Sequence, residues 1–114
     1  MLHKMKLKPE PYAAIESGIK AFELRLFDEK RRAISVGDTI EFTSTESGDT
    51  LRRRVTALHL FESFSALYRA LPLDKCGYTE ENIATASPRD MDIYYSREEQ
   101  AQFGVVAIEL EKAE

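Results

Sequence analysis

The sequence predicts an α+β fold: a small mixed sheet curled into a partly open β-barrel, with short helices covering its ends. Three observations carry this. Strand-like segments open and close the chain, further strand-like segments lie in the first half, and helix-start signatures gather between residues 62 and 103. At 114 residues the chain is long enough for one domain, spanning residues 1–114, and for burial of roughly two thirds of the surface that its unfolded form exposes.

The elements follow in order. Residues 2–8, LHKMKLK, alternate, with His3, Met5 and Leu7 on the apolar parity; this reads as a half-buried strand in which His3 is a satisfied core histidine. PYAAIESG suits a short helix opened by proline and closed by Gly18. The next segment is ambiguous: Ile15, Ile19, Phe22 and Leu26 follow a helical spacing, and Phe22, Leu24 and Leu26 a strand spacing. Gly18 favours the strand. Phe22, Leu24 and Leu26 then enter the core, while Glu23 and Arg25 share the opposite face, about 7 Å apart along the chain. Lys20 has the parity of the apolar set, so it joins the charged face only if the strand begins after it or a bulge turns it.

DEKRRAISVGD reads as a polar connection, DTIEFTS as a strand entered through a Gly-Asp turn, and residues 44–49 as a loop. LRRRVTALHLF is a long strand, followed by a short helix from Glu62 that Pro72 stops. Ser87-Pro88-Arg89-Asp90 and Ser96-Arg97-Glu98-Glu99 are helix-start signatures, each with a capping serine and an acid in the first turn. After Gly104, VVAIELE is a β-branched closing strand.

Composition narrows the function classes. With 43% hydrophobic and 32% charged residues and no long uncharged apolar run, the chain reads as a cytoplasmic protein with no membrane partner. The N-terminus lacks the apolar core and small-residue cleavage site of a secretory signal. Cys76 stands alone and reads as a small buried apolar residue, and His3 and His59 are not in a zinc-ligand spacing. Neither a metal nor a cofactor is called for. The net charge of -4 hides an asymmetry: residues 1–54 carry 11 Lys and Arg against 9 Asp and Glu, residues 55–114 only 5 against 11. This fits one basic cleft on an acidic body better than a whole-surface nucleic-acid binder.

Gly18-x-Lys20-x-x-Glu23-x-Arg25, then Val36-Gly37-Asp38-x-Ile40-x-Phe42 and the closing Gly104-Val105-Val106-Ala107-Ile108, together resemble the ASCH (activating signal cointegrator homology) domain. The resemblance covers essentially the whole chain, and the tail from Thr85 is similar to the end of stand-alone bacterial ASCH proteins. It implies a PUA-like barrel whose cleft, lined by the motif residues, suits RNA or a nucleotide-like small molecule. Some members resemble amidohydrolases that deacetylate acetylated cytidine with the motif lysine, a threonine three residues later and a distant glutamate; others are reported as ribonucleases. Here the lysine is Lys20 but the threonine position is Glu23, so the hydroxyl which that mechanism needs is absent.

The expected ligand- or RNA-binding residues are therefore Lys20, Glu23 and Arg25, with Lys30, Arg31 and Tyr95 as outer contacts. Lys20 and Arg25 supply donors for phosphate or carbonyl oxygens, and Glu23 orients them or accepts from a base edge. Of the adjacent Tyr94 and Tyr95, one packs and the exposed one stacks a base. Arg52, Arg53 and Arg54 alternate across a strand and are not site residues. The alternative is a small hydrolase, acting on a modified nucleoside or on RNA, with Lys20 and Glu23 as base and acid; a third reading is a protein-interaction adaptor. The residues do not decide oligomeric state.

Overall fold

The computed structural model describes residues 1–112, so the last two positions of the expected domain lie outside the described residues. Five strands form one mixed sheet: β1 (Leu2–Leu7), β2 (Phe22–Leu26), β3 (Thr39–Ser44), β4 (Thr50–Phe61) and β5 (Val105–Lys112). Their order is β1-β3-β4-β5-β2, with β1 and β3 parallel and the other neighbours antiparallel. The chain thus places its first two strands at opposite edges. The sheet curls into a half-barrel, and a register shift between Val55 and Ala57 interrupts the β4–β5 ladder, a device that bends long strands.

The helices are short and locally specified. α1 (Pro9–Glu16) begins at a proline, which loses nothing at a position where the amide has no helical partner, and Gly18 follows it with φ 85°. α2 (Glu29–Arg32) is a single turn capped by Asp28, whose carboxylate accepts from the Arg31 amide at 3.1 Å. It corrects the reading of residues 28–38 as a plain connection: the cap was present in the sequence, but four residues are too few to show a periodicity. α3 (Phe64–Ala70) is capped by Ser63, and α4 (Arg97–Phe103) carries a full capping box between Ser96 and Glu99. The other expected start, at Ser87, also forms a capping box but opens a 3₁₀ segment, Pro88–Ile93.

Both faces of the sheet are packed. On one, Met5, Leu7, Ile40, Phe42, Val106 and Ile108 meet Tyr12 and Ile15 of α1. On the other, Phe22, Leu24, Leu26, Val105 and Ala107 lie with Phe64 and Leu67 of α3. β5 alternates between these two cores, which explains its near-continuous apolar run. His3, as expected, is satisfied: its Nε2 lies 2.8 Å from Asp38 Oδ2, beside the turn into β3.

Candidate functional site

The two faces of β2 settle how opposite charges share an apolar segment. Phe22, Leu24 and Leu26 pack on the α3 side. Glu23 and Arg25 pair in register with Ile108 and Val106, and directly opposed residues share a face, so both project toward the core beneath α1. The face opposite the strand's apolar residues is therefore a second packed layer. Lys20 meets the requirement the sequence set for it, because β2 begins at Phe22 and leaves it free to fold back.

Lys20, Glu23 and Arg25 form one cluster. Glu23 is 3% exposed. Its Oε1 accepts from Lys20 Nζ at 2.8 Å, and its Oε2 accepts from Arg25 Nε at 3.1 Å and Nη2 at 2.8 Å. Arg25 Nη2 also donates to the Lys6 carbonyl at 3.1 Å, joining β2 to β1 across the open side of the half-barrel. Burial raises the cost of ionising Glu23, but the two cations and their hydrogen bonds outweigh it and hold the carboxyl below its ordinary range. For Arg25 burial likewise opposes the charge, and Glu23 with Tyr95 outweighs it, raising the pKa. Both directions favour the ionised forms of Glu23 and Arg25, and with Lys20 the cluster sets two basic side chains against one carboxylate.

A cleft of about 490 Å³ opens over this group. Lys20, Glu23 and Arg25 line one part; the end of β1 and the start of α1 supply Lys8 and Glu10; residues 76–95 close the far side. There Tyr68 and Tyr78 hydroxyls lie 2.7 Å apart, and Tyr78 donates to Asp90 Oδ2 at 2.6 Å. Asp90 is fixed by its place in the Ser87 capping box. Gly77 adopts φ 111°, and a Cβ there would stand 3.5 Å from Lys20 Cδ, so the lysine stem runs along the glycine.

The other expected residues are placed differently. Tyr95 lines the cleft but stacks on Phe64, with ring centroids 6.1 Å apart and planes at 16°. Tyr94, 56% exposed at the cleft mouth with Lys8 Nζ 5.8 Å from its ring centroid, is the exposed member of the pair. Lys30 and Arg31 are not brought into the lining: Lys30 is exposed on α2, and Arg31 Nη1 bonds Asp28 Oδ2 at 3.0 Å. Reading from sequence missed Tyr68, Tyr78 and Asp90. They stand 10 and 12 residues apart in segments with no common pattern, and the only trace was Asp90 as an N-cap partner.

Cys76 is buried, and burial pushes its thiol up to about 11, which favours the neutral thiol over the reactive thiolate at neutral pH. Among the described residues no group of His, Cys, Asp and Glu is arranged to hold a metal ion, and no helix is long and apolar enough to cross a membrane.

The comparisons agree with the geometry. The family model of the ASCH domain matches residues 5–114. Among solved structures, the hypothetical protein PH0355 is 31% identical with a TM-score of 0.82, over 99% of this chain and 100% of its own. Protein PF0455 from Pyrococcus furiosus is 33% identical with a TM-score of 0.76, over 100% of this chain and 99% of its own. ASCH from Zymomonas mobilis, 19% identical with a TM-score of 0.66 over 97% of this chain and 67% of its own, shares the fold. A search of curated proteins finds no match. With the curled five-stranded half-barrel and a family match from residue 5 to residue 114, the chain belongs to the ASCH domain family.

Proposed function

We propose that this chain, as a single ASCH domain, binds RNA or a nucleotide-like ligand in the cleft over Lys20, Glu23 and Arg25. ASCH domains have a PUA-like fold that is generally linked to RNA. The observation that carries the reading is the convergence of two partly buried cations, held around one ionised carboxylate, on a cleft whose other walls bring tyrosines and a carboxylate. Strand-anchored donors of this kind are preorganised for an oxyanion or carbonyl, and Tyr94 offers a ring face at the mouth on which a base stacks.

Binding fits the cluster better than proton transfer. Both oxygens of Glu23 accept from cations, three hydrogen bonds in all, and its carboxyl is held ionised, so it has no proton to give to a leaving group.

The test follows labelled single-stranded RNA with wild type and Lys20→Ala at two salt concentrations, with strand integrity read in the same samples. Expected are salt-sensitive binding, a loss of about ten-fold or more in the variant, and intact RNA throughout. Strand cleavage or nucleoside release by wild type that Lys20→Ala abolishes would replace this reading with the hydrolase. Absence of RNA binding at low salt by a folded protein would remove it.

A further inference from the structure

We propose that the cleft selects ligands by charge: it takes a singly charged phosphodiester, as found within a nucleic-acid strand, in preference to a doubly charged terminal phosphate or a neutral nucleoside. This rests on the reading of the cleft as an RNA or nucleotide site and specifies which chemical group that site grips.

The inference comes from counting charges where water is scarce. Side-chain exposures are 10% for Lys20, 16% for Arg25 and 4% for Glu23, so the cluster sits largely out of solvent. Glu23 neutralises one cation and leaves one positive charge over. The rim does not alter the total: lining the cleft are the cations of Lys6, Lys8, Lys20 and Arg25 and the carboxylates of Glu10, Glu23 and Asp90, four against three. An uncompensated charge in a poorly solvated site is unfavourable, and a single negative charge cancels it. A second negative charge has no counterpart, and it meets the Glu10 and Asp90 carboxylates across the cleft.

The hydrogen-bond inventory points the same way. Lys20 Nζ gives one of its three protons to Glu23. Arg25 commits Nε and both protons of Nη2 to Glu23 and the Lys6 carbonyl, and the two Nη1 protons remain, in the neighbourhood of the Tyr95 hydroxyl. With Tyr95 as a further partner of Arg25, the donors that remain, two on Lys20 and one on Arg25, suit the two non-bridging oxygens of a diester. A neutral nucleoside supplies no such anion and leaves the extra charge in place.

The experiment measures, by titration calorimetry on the wild-type chain, the affinity of each of the four ribonucleosides, its 5′-monophosphate and its 5′-methyl phosphodiester. At pH 8 the monoester carries two charges and the methyl diester one, because the second phosphate pKa is about 6. The diester is expected to bind at least about ten-fold more tightly than either companion at pH 8. On lowering the pH to 5 the monoester, now singly charged, is expected to gain on the diester until the two are comparable. Neither histidine lines the cleft, and Glu23 stays ionised over this range because its carboxyl lies below its ordinary value. Lys20→Gln, which removes the extra charge, is expected to erase the preference for the diester over the nucleoside. Equal or tighter binding of the doubly charged monoester at pH 8 overturns the charge rule while leaving the cleft a nucleotide site. No binding of any member by a chain that binds single-stranded RNA overturns this inference alone, and no binding of either overturns the function on which it rests as well.

Discussion

Two charge clusters on the same sheet use the same residue types to different ends. On β2 and the segment leading into it, Lys20, Glu23 and Arg25 meet around a carboxylate with 4% side-chain exposure. On β3, β4 and β5, Arg52 pairs with Glu41 at 3.4 Å and Arg54 with Glu111, with the two arginines 59% and 58% exposed. The exposed pairs lie in high dielectric, are screened by salt and add little. The buried group gives up the hydration of three ions at once, a cost that their mutual attraction offsets only through the close hydrogen bonds it makes. Arg53 lies between: its Nη2 donates to the Ile15 and Glu16 carbonyls at 3.2 and 3.3 Å, tying β4 to the end of α1. Residue type alone does not separate these roles; burial does.

Four measurements test this difference between the buried and the exposed charges. Glu23→Ala leaves two cations without their carboxylate in a largely buried site, and its unfolding free energy in urea is expected to fall by about 3–5 kcal/mol; a loss below about 1 kcal/mol would put the cluster in the same class as the surface pairs. Replacing the whole group, Lys20→Met with Glu23→Leu and Arg25→Met, is expected to match wild-type stability or exceed it by about 1–4 kcal/mol while abolishing RNA binding. A triple variant as unstable as Glu23→Ala would instead make the cluster a folding element.

The third measurement uses acid. Glu23 has a folded-state pKa below its ordinary value of 4.5, so the unfolded chain binds its proton first. Its contribution is complete above the ordinary glutamate range and is lost as the pH falls through the depressed folded value. Stability followed from pH 7 downward is therefore expected to decline less steeply in Glu23→Gln than in wild type. Parallel curves would mean that Glu23 titrates alike in both states. The smallest effect belongs to the exposed cluster: Arg52→Ala is expected to change the unfolding free energy by less than about 0.5 kcal/mol and to leave RNA affinity unchanged.

Much of the fold was legible because its signals are local. The alternation in residues 2–8, Pro9, the serine caps at 87 and 96 and the β-branched run after Gly104 each act within a few residues, and each marks the element seen. Lys20, Glu23 and Arg25 were legible as a group because they belong to one strand and its approach. Lys30 and Arg31 stood out by sequence proximity, yet α2 turns them onto Asp28 and solvent. The tyrosine wall was invisible, because Tyr68, Tyr78 and Asp90 meet only where a helix, a turn after residues 73–76 and a 3₁₀ segment converge.

Tyr94 and Tyr95 show the boundary most clearly. The sequence implies one packed ring and one exposed ring at these adjacent positions, which lie in the turn after Pro88–Ile93; only the position of Phe64 makes Tyr95 the packed one. By itself the sequence determined the strands, the caps, the family motif and the excess of one positive charge among Lys20, Glu23 and Arg25, since these follow from residue type and spacing. The tertiary structure decided that both faces of β2 are packed, that Arg25 reaches Lys6 across the open side of the half-barrel, and which distant tyrosines face the cluster. Those outcomes depend on the curl of a sheet whose edge strands, β1 and β2, are separated by three others in the ladder, and no local pattern encodes that curl.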